Sequence, residues 1–119
     1  MQKVVLDTNA LLMPFEFKIN LDLELKALLG DFEGYVPGPC IGELKRSKSK
    51  HAYPAILLAG KYKRYETSTQ GDAGVIEAAK ALGALVVTND YILRRKMRKE
   101  GIHGIFLRSK NRLYIDEGF

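Results

Sequence analysis

The sequence predicts an α/β domain of three layers, with helices on both faces of a mainly parallel central sheet, in one unit spanning residues 1–119. Two runs, QKVVL at 2–6 and ALVVT at 84–88, are continuously apolar instead of alternating, as strands covered on both faces are. Segments with helical apolar spacing separate and follow them, and strands that alternate with helices favour parallel pairing through crossover helices. A chain of 119 residues, 46% hydrophobic and 28% charged, can bury a core of that kind.

QKVVL is the first strand. Thr8 and Asn9 start a short helix that Pro14 is expected to end or kink, because proline removes a backbone donor and crowds the preceding turn. Asn20 caps a second helix over 20–29, with acids in its first turn and Gly30 as its stop. EGYVPGP is a brief strand running into a turn, and a third helix continues from about Pro39 through CIGELKR. From His51 to about Tyr65, the residues Ala52, Ala55, Ile56, Ala59 and Tyr62 follow the i, i+3, i+4, i+7 stride, which predicts a helix with a basic opposite face. Gly71 and Asp72 open a further helix whose buried stripe is Val75, Ile76, Ala79 and Leu82 and which Gly83 closes. After ALVVT, Asn89 and Asp90 lead into the helix YILRRKMRKE, with Leu93 and Met97 one turn apart on its apolar side. GIFL and RLYI are two short closing strands around the polar turn RSKN.

The formal net charge is +5 and the pI about 9.4, yet the two signs are segregated. Residues 1–43 hold three cations against seven anions, 44–64 hold seven cations and no acid, and 94–112 hold eight cations and one acid, Glu100. Two such basic blocks favour a polyanionic partner, nucleic acid above all, because neutralised phosphates release counterions. The candidate contacts are Lys45, Arg46, Lys61, Lys63, Arg64, Arg94, Arg95, Arg98 and Lys99. Tyr53, Tyr62, Tyr65 and Tyr91 interleave with them and offer rings for base stacking, although Tyr62, on the apolar stripe, is better read as buried. A single cysteine, Cys40, and two histidines, His51 and His103, exclude an internal disulfide and a structural zinc site, and Cys40 reads as a small buried thiol. No apolar run approaches the roughly 18 residues of a membrane span and no leader-like stretch precedes Asp7, so the expectation is a cytoplasmic protein without membrane contact. There is neither a phosphate-loop nor a dinucleotide-binding fingerprint.

In open parallel sheets, functional groups gather at the carboxyl ends of strands near a topological switch point. Asp7 and Asp90 each end a buried strand and enter a helix, and Asp72 opens a helix; each taken alone can be an N-cap. Brought together at one sheet edge, their charges repel unless neutralised, and a hard divalent cation such as Mg²⁺ or Mn²⁺ with oxygen ligands does that. Such an ion orients and deprotonates water and stabilises charge on a phosphate, which is the chemistry of phosphodiester hydrolysis. Glu43 lies inside a helix with no terminus to cap and, on its own, reads equally well as a surface residue.

The segments VVLDTNALL, YVPGPCIGELKR, GDAGVIEAAK and VVTNDYILRRKMR, in that order and on those element types, resemble the PIN-domain nucleases over essentially the whole chain. The resemblance implies that Asp7, Glu43, Asp72 and Asp90 are catalytic, metal-binding acids and that Thr8 and Thr88 are hydroxyls orienting a carboxylate or water, with Asn89 beside them. It implies an endoribonuclease dependent on Mg²⁺ or Mn²⁺, with RNA as partner and homodimerisation. The ending TNDYILRRKMRKEGIHGIFLRSKNRLYID is more similar to the PIN nucleases of small-subunit ribosomal RNA processing, which points to pre-rRNA or ribosomal particles, than to the VapC toxins, which pair with an antitoxin. Without the extension usual in eukaryotic members, the chain resembles a minimal prokaryotic relative. Ala73 stands where the processing enzymes carry a second acid beside the one matched by Asp72; Glu77 is a weak substitute and reads as a surface residue. That departure keeps a third reading open, an RNA-binding PIN scaffold with weak or no catalysis.

Overall fold

The structure is a computed structural model and describes residues 1–116. The chain alternates β1 (Gln2–Leu6), α1 (Thr8–Phe17), α2 (Leu21–Leu29), β2 (Phe32–Pro37), α3 (Gly38–Arg46), α4 (Ala52–Ala59), β3 (Lys63–Tyr65), α5 (Gly71–Leu82), β4 (Leu85–Val87), α6 (Tyr91–Lys99), β5 (Gly104–Arg108) and β6 (Arg112–Asp116). The strands form one sheet in the order β3-β2-β1-β4-β5-β6. All neighbours run parallel except the closing hairpin of β5 and β6. Right-handed crossovers place α1 to α4, which link β1 to β2 and β2 to β3, over one face, and α5 and α6 over the other. The three layers and the mainly parallel sheet are those the sequence predicts.

Val4, Val5, Leu6, Val86 and Val87 are fully buried, which is why β1 and β4 read as unbroken apolar runs. From these adjacent strands the chain departs in opposite directions, so the gap between their carboxyl ends is the switch point. Leu6 pairs with Val87, and Asp7 and Thr88 therefore leave the sheet side by side. Leu44 on α3 and Leu93 on α6, both fully buried, pin the helices that carry Glu43 and follow Asp90. Truncating either leucine to alanine is expected to cost about 2–5 kcal/mol.

Two expectations are corrected. Pro14 neither ends nor shortens α1, which continues to Phe17; Ala10, Leu11 and Met13 in the turn before Pro14 are buried, and their packing outweighs one missing backbone bond. The helix expected from His51 to about Tyr65 stops at Ala59. Residues 63–65 form β3 instead, paired in parallel with Tyr35, Val36 and Pro37 of β2. A paired backbone at the sheet edge replaces the last helical turns, and exposed Lys63 and Arg64 are residues that protect such an edge from further pairing. The expected basic helix face is therefore absent: α4, AYPAILLA, carries no charge, and the cations lie on the following turn and on β3. Among the described residues, no helix is long and apolar enough to cross a membrane.

Candidate active site

Asp7, Glu43, Asp72 and Asp90 line one cavity of about 290 Å³ at the carboxyl edge of the sheet, together with Thr8, Asn9 and Cys40. Each acid arrives on a different element. Asp7 follows β1 and caps α1, its Oδ1 accepting the Ala10 amide at 2.7 Å. It is 6% exposed, and burial pushes its carboxyl up to about 7; the Thr88 hydroxyl and the Ala10 amide pull it down, while the charges of Asp90 and Asp72 push it further up. Asp90 follows β4 and caps α6, its Oδ1 accepting the amides of Ile92 at 2.9 Å and Leu93 at 3.1 Å. The Asp90 amide in turn donates to the Thr88 hydroxyl at 3.0 Å, and Thr88 is fully buried behind the two acids.

Asp72 caps nothing. Gln70 is the N-cap position of α5, and Asp72 lies in the first turn with its Oδ2 paired to Lys96 Nζ at 3.0 Å. The approach to it is built from glycine and Glu77. Gly71 has φ +59, which a side chain rarely adopts, and a Cβ on Gly74 would stand 2.6 Å from the Thr69 carbonyl oxygen. Glu77 accepts the amides of Ser68 and Thr69 at 2.9 and 3.0 Å and both their hydroxyls at 2.9 and 2.8 Å. Those donors, the Ser68 amide first, hold its carboxyl down to about 2. Glu77 is thus the clasp of the loop before Asp72 and lies outside the acid cavity, so it does not replace the acid missing at Ala73.

Glu43 projects from α3, held by its buried neighbour Leu44. Cys40, one turn earlier on the same helix, is buried, and burial pushes its thiol up to about 12, so it stays a neutral wall of the cavity. Sequence reasoning missed Asn9. Its Oδ1 accepts the Asn89 amide at 2.8 Å, and Asn89 Oδ1 accepts the Leu107 amide at 2.7 Å, so two asparagines tie α1, the end of β4 and β5 together beside Asp90. The only trace of this in the sequence is the asparagine in each of the strings DTN and TND.

The donors suit a hard cation: four carboxylates line one cavity, and the buried Thr8 hydroxyl stands among them beside the Cys40 thiol. The carboxylates expected to stand within a few ångströms of one another line the cavity without closing on a common point. Among the described residues, no three of His, Cys, Asp and Glu stand together as a ligand shell. Asp7 and Asp90 hold helix amides there, and Asp72 holds Lys96.

The cations expected to meet nucleic acid divide sharply. Arg46, at the end of α3, lines a small cavity that shares Glu43 and Gly71 with the acid cavity, and exposed Lys45 precedes it. Lys99 lines a groove that shares Asp72. Exposed Arg95 has its guanidinium 5.9 Å from the ring centre of Tyr91. Arg94 and Arg98 are committed elsewhere, both to Asp116 Oδ2 at 2.8 and 2.9 Å. Lys63 pairs with Glu33, Arg64 with Glu66, and Lys61 lines a separate cavity beside Pro14 and Tyr62. Tyr62 is half-buried and its hydroxyl donates to Asp22, whereas Tyr53 and Tyr91 are exposed.

A family model described as a PIN like domain matches residues 4–110. The chain belongs to this PIN-like family. Ribonuclease VapC4 of Methanocaldococcus jannaschii is 33% identical to it over 122 residues, covering 92% of this chain and 93% of that protein. Ribonuclease VapC9 of Archaeoglobus fulgidus is 34% identical over 62 residues, 52% of this chain and 46% of that protein. The solved structure of the PIN domain endonuclease Utp24 superposes with a TM-score of 0.84 at 21% identity, covering 97% of this chain and 91% of that one. A domain of a functionally unknown protein from Methanocaldococcus jannaschii superposes with a TM-score of 0.63 at 17% identity, covering 92% and 93%. At these identities the structural likeness speaks for the fold of this PIN-like domain.

Proposed function

We propose that this PIN-like domain is a metal-dependent endoribonuclease with Asp7, Glu43, Asp72 and Asp90 as its catalytic acids. The observation that carries the reading is that four acids from four separate elements line one cavity at the switch point, one of them so desolvated that its carboxyl is pushed up to about 7. A Mg²⁺ or Mn²⁺ ion held by these carboxylates supplies Lewis acidity and a water of lowered pKa. The chain supplies the rest. The caps on α1 and α6 fix Asp7 and Asp90, the Thr88 hydroxyl sets their spacing from behind, and Thr8 adds a buried hydroxyl to the cavity wall. Arg46 on one side of the acids and Lys99 on the other are placed to hold the flanking phosphates.

The substrate favoured by the basic α6 and the closing β5–β6 hairpin is a ribosomal RNA precursor. The VapC4 relative, similar over nearly the full length of both chains, favours a second reading, a toxin held by an antitoxin. Expression in a host separates them: growth arrest relieved by a neighbouring small gene supports the toxin, and accumulation of uncleaved pre-rRNA on depletion supports processing. The chemistry itself is tested by incubating labelled RNA with Mn²⁺ and purified wild-type, Asp7→Asn and Asp90→Asn proteins. Cleavage by the wild type and its loss in both variants is expected. Equal cleavage by all three overturns the site, and RNA binding without any cleavage favours the scaffold reading that Ala73 suggests.

A further inference from the structure

A groove of about 560 Å³ runs between α5 and α6 and meets the acid cavity at Asp72, which lines both. Its charges balance: Lys80, Lys96 and Lys99 stand against Asp72, Glu77 and Glu100. Lys80 is paired to Glu100, Glu77 is clasped to Ser68 and Thr69, and Lys96 Nζ rests 3.0 Å from Asp72 Oδ2. Among the described residues, Lys99 forms no ion pair with an acid of the cavity.

We propose that Lys96 is a transferable cation: in the free protein it neutralises Asp72, and when a divalent ion takes that carboxylate, Lys96 is released to bind a phosphate of the RNA strand lying in the α5–α6 groove. Resting on the ribonuclease reading above, this adds to it a seat for the strand beside the cut and a residue that couples ion binding to RNA binding. An ammonium and a divalent ion compete for one carboxylate, and the Lys96 side chain is 53% exposed, so the existing pair is weak enough to be exchanged. The groove turns positive with the exchange. Three cations against three acids leave the groove without net charge, whereas with Asp72 neutralised by the ion the same walls carry one cation in excess. The movement needs only the lysine stem, because α6 itself is anchored by fully buried Leu93 and nearly buried Met97 and by the pairing of Arg94 and Arg98 with Asp116.

Lys96→Met keeps the stem and removes the charge, and Lys99→Met removes an equal charge from the same groove without touching Asp72. Calorimetric titration with Mn²⁺ alone is expected to show Lys96→Met binding the ion roughly three- to ten-fold tighter than wild type, and Lys99→Met within about two-fold of it. A labelled oligouridylate is then titrated in EDTA and in Ca²⁺, which takes oxygen ligands. The ion is expected to tighten RNA binding by the wild type and to steepen its salt dependence by about 0.7 in log–log slope, with both gains reduced in Lys96→Met. Equal ion affinities for the two lysine variants, or an equal ion-dependent gain in wild type and Lys96→Met, overturns the transfer while leaving the ribonuclease reading intact. Absence of any Mn²⁺ binding that Asp7→Asn removes overturns both.

Discussion

The two strand ends at the switch point perform the same local task in opposite surroundings. Asp7 and Asp90 each follow a buried strand and each caps the next helix, yet Asp7 is 6% exposed and Asp90 is open to solvent. Asp7 accepts one helix amide and Asp90 two, so the buried carboxylate is the one with fewer capping donors, and the main contrast between the two is solvation. At Asp7 the loss of water outweighs the Thr88 and Ala10 bonds and pushes the carboxyl up to about 7, in the range where an added cation has most to offer. A cap is therefore a sufficient reason for an aspartate at either position, but it does not explain burying one beside other acids.

The largest expected effect treats the two alike. Asp7→Asn and Asp90→Asn each keep a capping side chain and each is expected to lower Mn²⁺-dependent RNA cleavage by roughly 100-fold or more, measured as single-turnover rates. A small loss at Asp90 with a large one at Asp7 would mark Asp90 as only a cap.

The next effect separates them. The Asp7 carboxyl titrates near 7 when folded against an ordinary 3.8, so between those values the folded protein holds a proton that the unfolded chain has released. Stability of the ion-free protein is then highest at low pH as far as this group is concerned, declines as pH rises from about 4, and levels off above 7. Asp7→Asn removes that penalty. Urea denaturation at pH 8 in EDTA is expected to find the variant more stable by up to about 4 kcal/mol, with no gain near pH 4. Added Mg²⁺ is expected to narrow the gap by stabilising the wild type alone.

A smaller effect contrasts the two sides of the helix that Asp90 caps. Arg94 is 21% exposed and Asp116 is 11% exposed, so Arg94→Ala is expected to cost about 1–3 kcal/mol of stability, against less than about 0.5 for Lys99→Ala on the groove side. The order reverses in RNA-binding assays, where Lys99 contributes and Arg94 does not. The smallest effect is at the loop before Asp72. Glu77→Ala is expected to speed hydrogen exchange at the Ser68 and Thr69 amides in neutral buffer while leaving the core amides unchanged, because the clasp serves one loop. In the wild type that clasp persists at neutral pH and is lost as pH falls toward 2, where the Glu77 carboxyl takes up its proton.

The strand ends and two of the acids, Asp7 and Asp90, were legible because local rules announce them: unbroken apolar runs, an aspartate at the turn into a helix, glycine at a helix stop. Glu43 and the role of Asp72 came only from the family resemblance. What was not legible depended on partners far away in the chain. The three residues of β3 show no apolar pattern, since Lys63 and Arg64 belong to an exposed edge and only pairing with β2 makes them a strand. Pro14 reads as a breaker until the burial of Leu11 and Met13 is known. The two basic blocks look equivalent by count, but Asp116 holds Arg94 and Arg98, and Glu33 and Glu66 hold Lys63 and Arg64. Asn9 and Asn89 meet across 80 positions, and Glu77 meets Ser68 by a returning loop. No periodicity carries such information.

The central claim is that the four acids are one cation site. Anomalous diffraction from crystals soaked in Mn²⁺ tests it most directly. The account predicts a peak in the cavity bounded by Asp7, Glu43, Asp72 and Asp90, absent from Asp7→Asn crystals, and it is contradicted if Mn²⁺ binds elsewhere or if the peak survives that substitution.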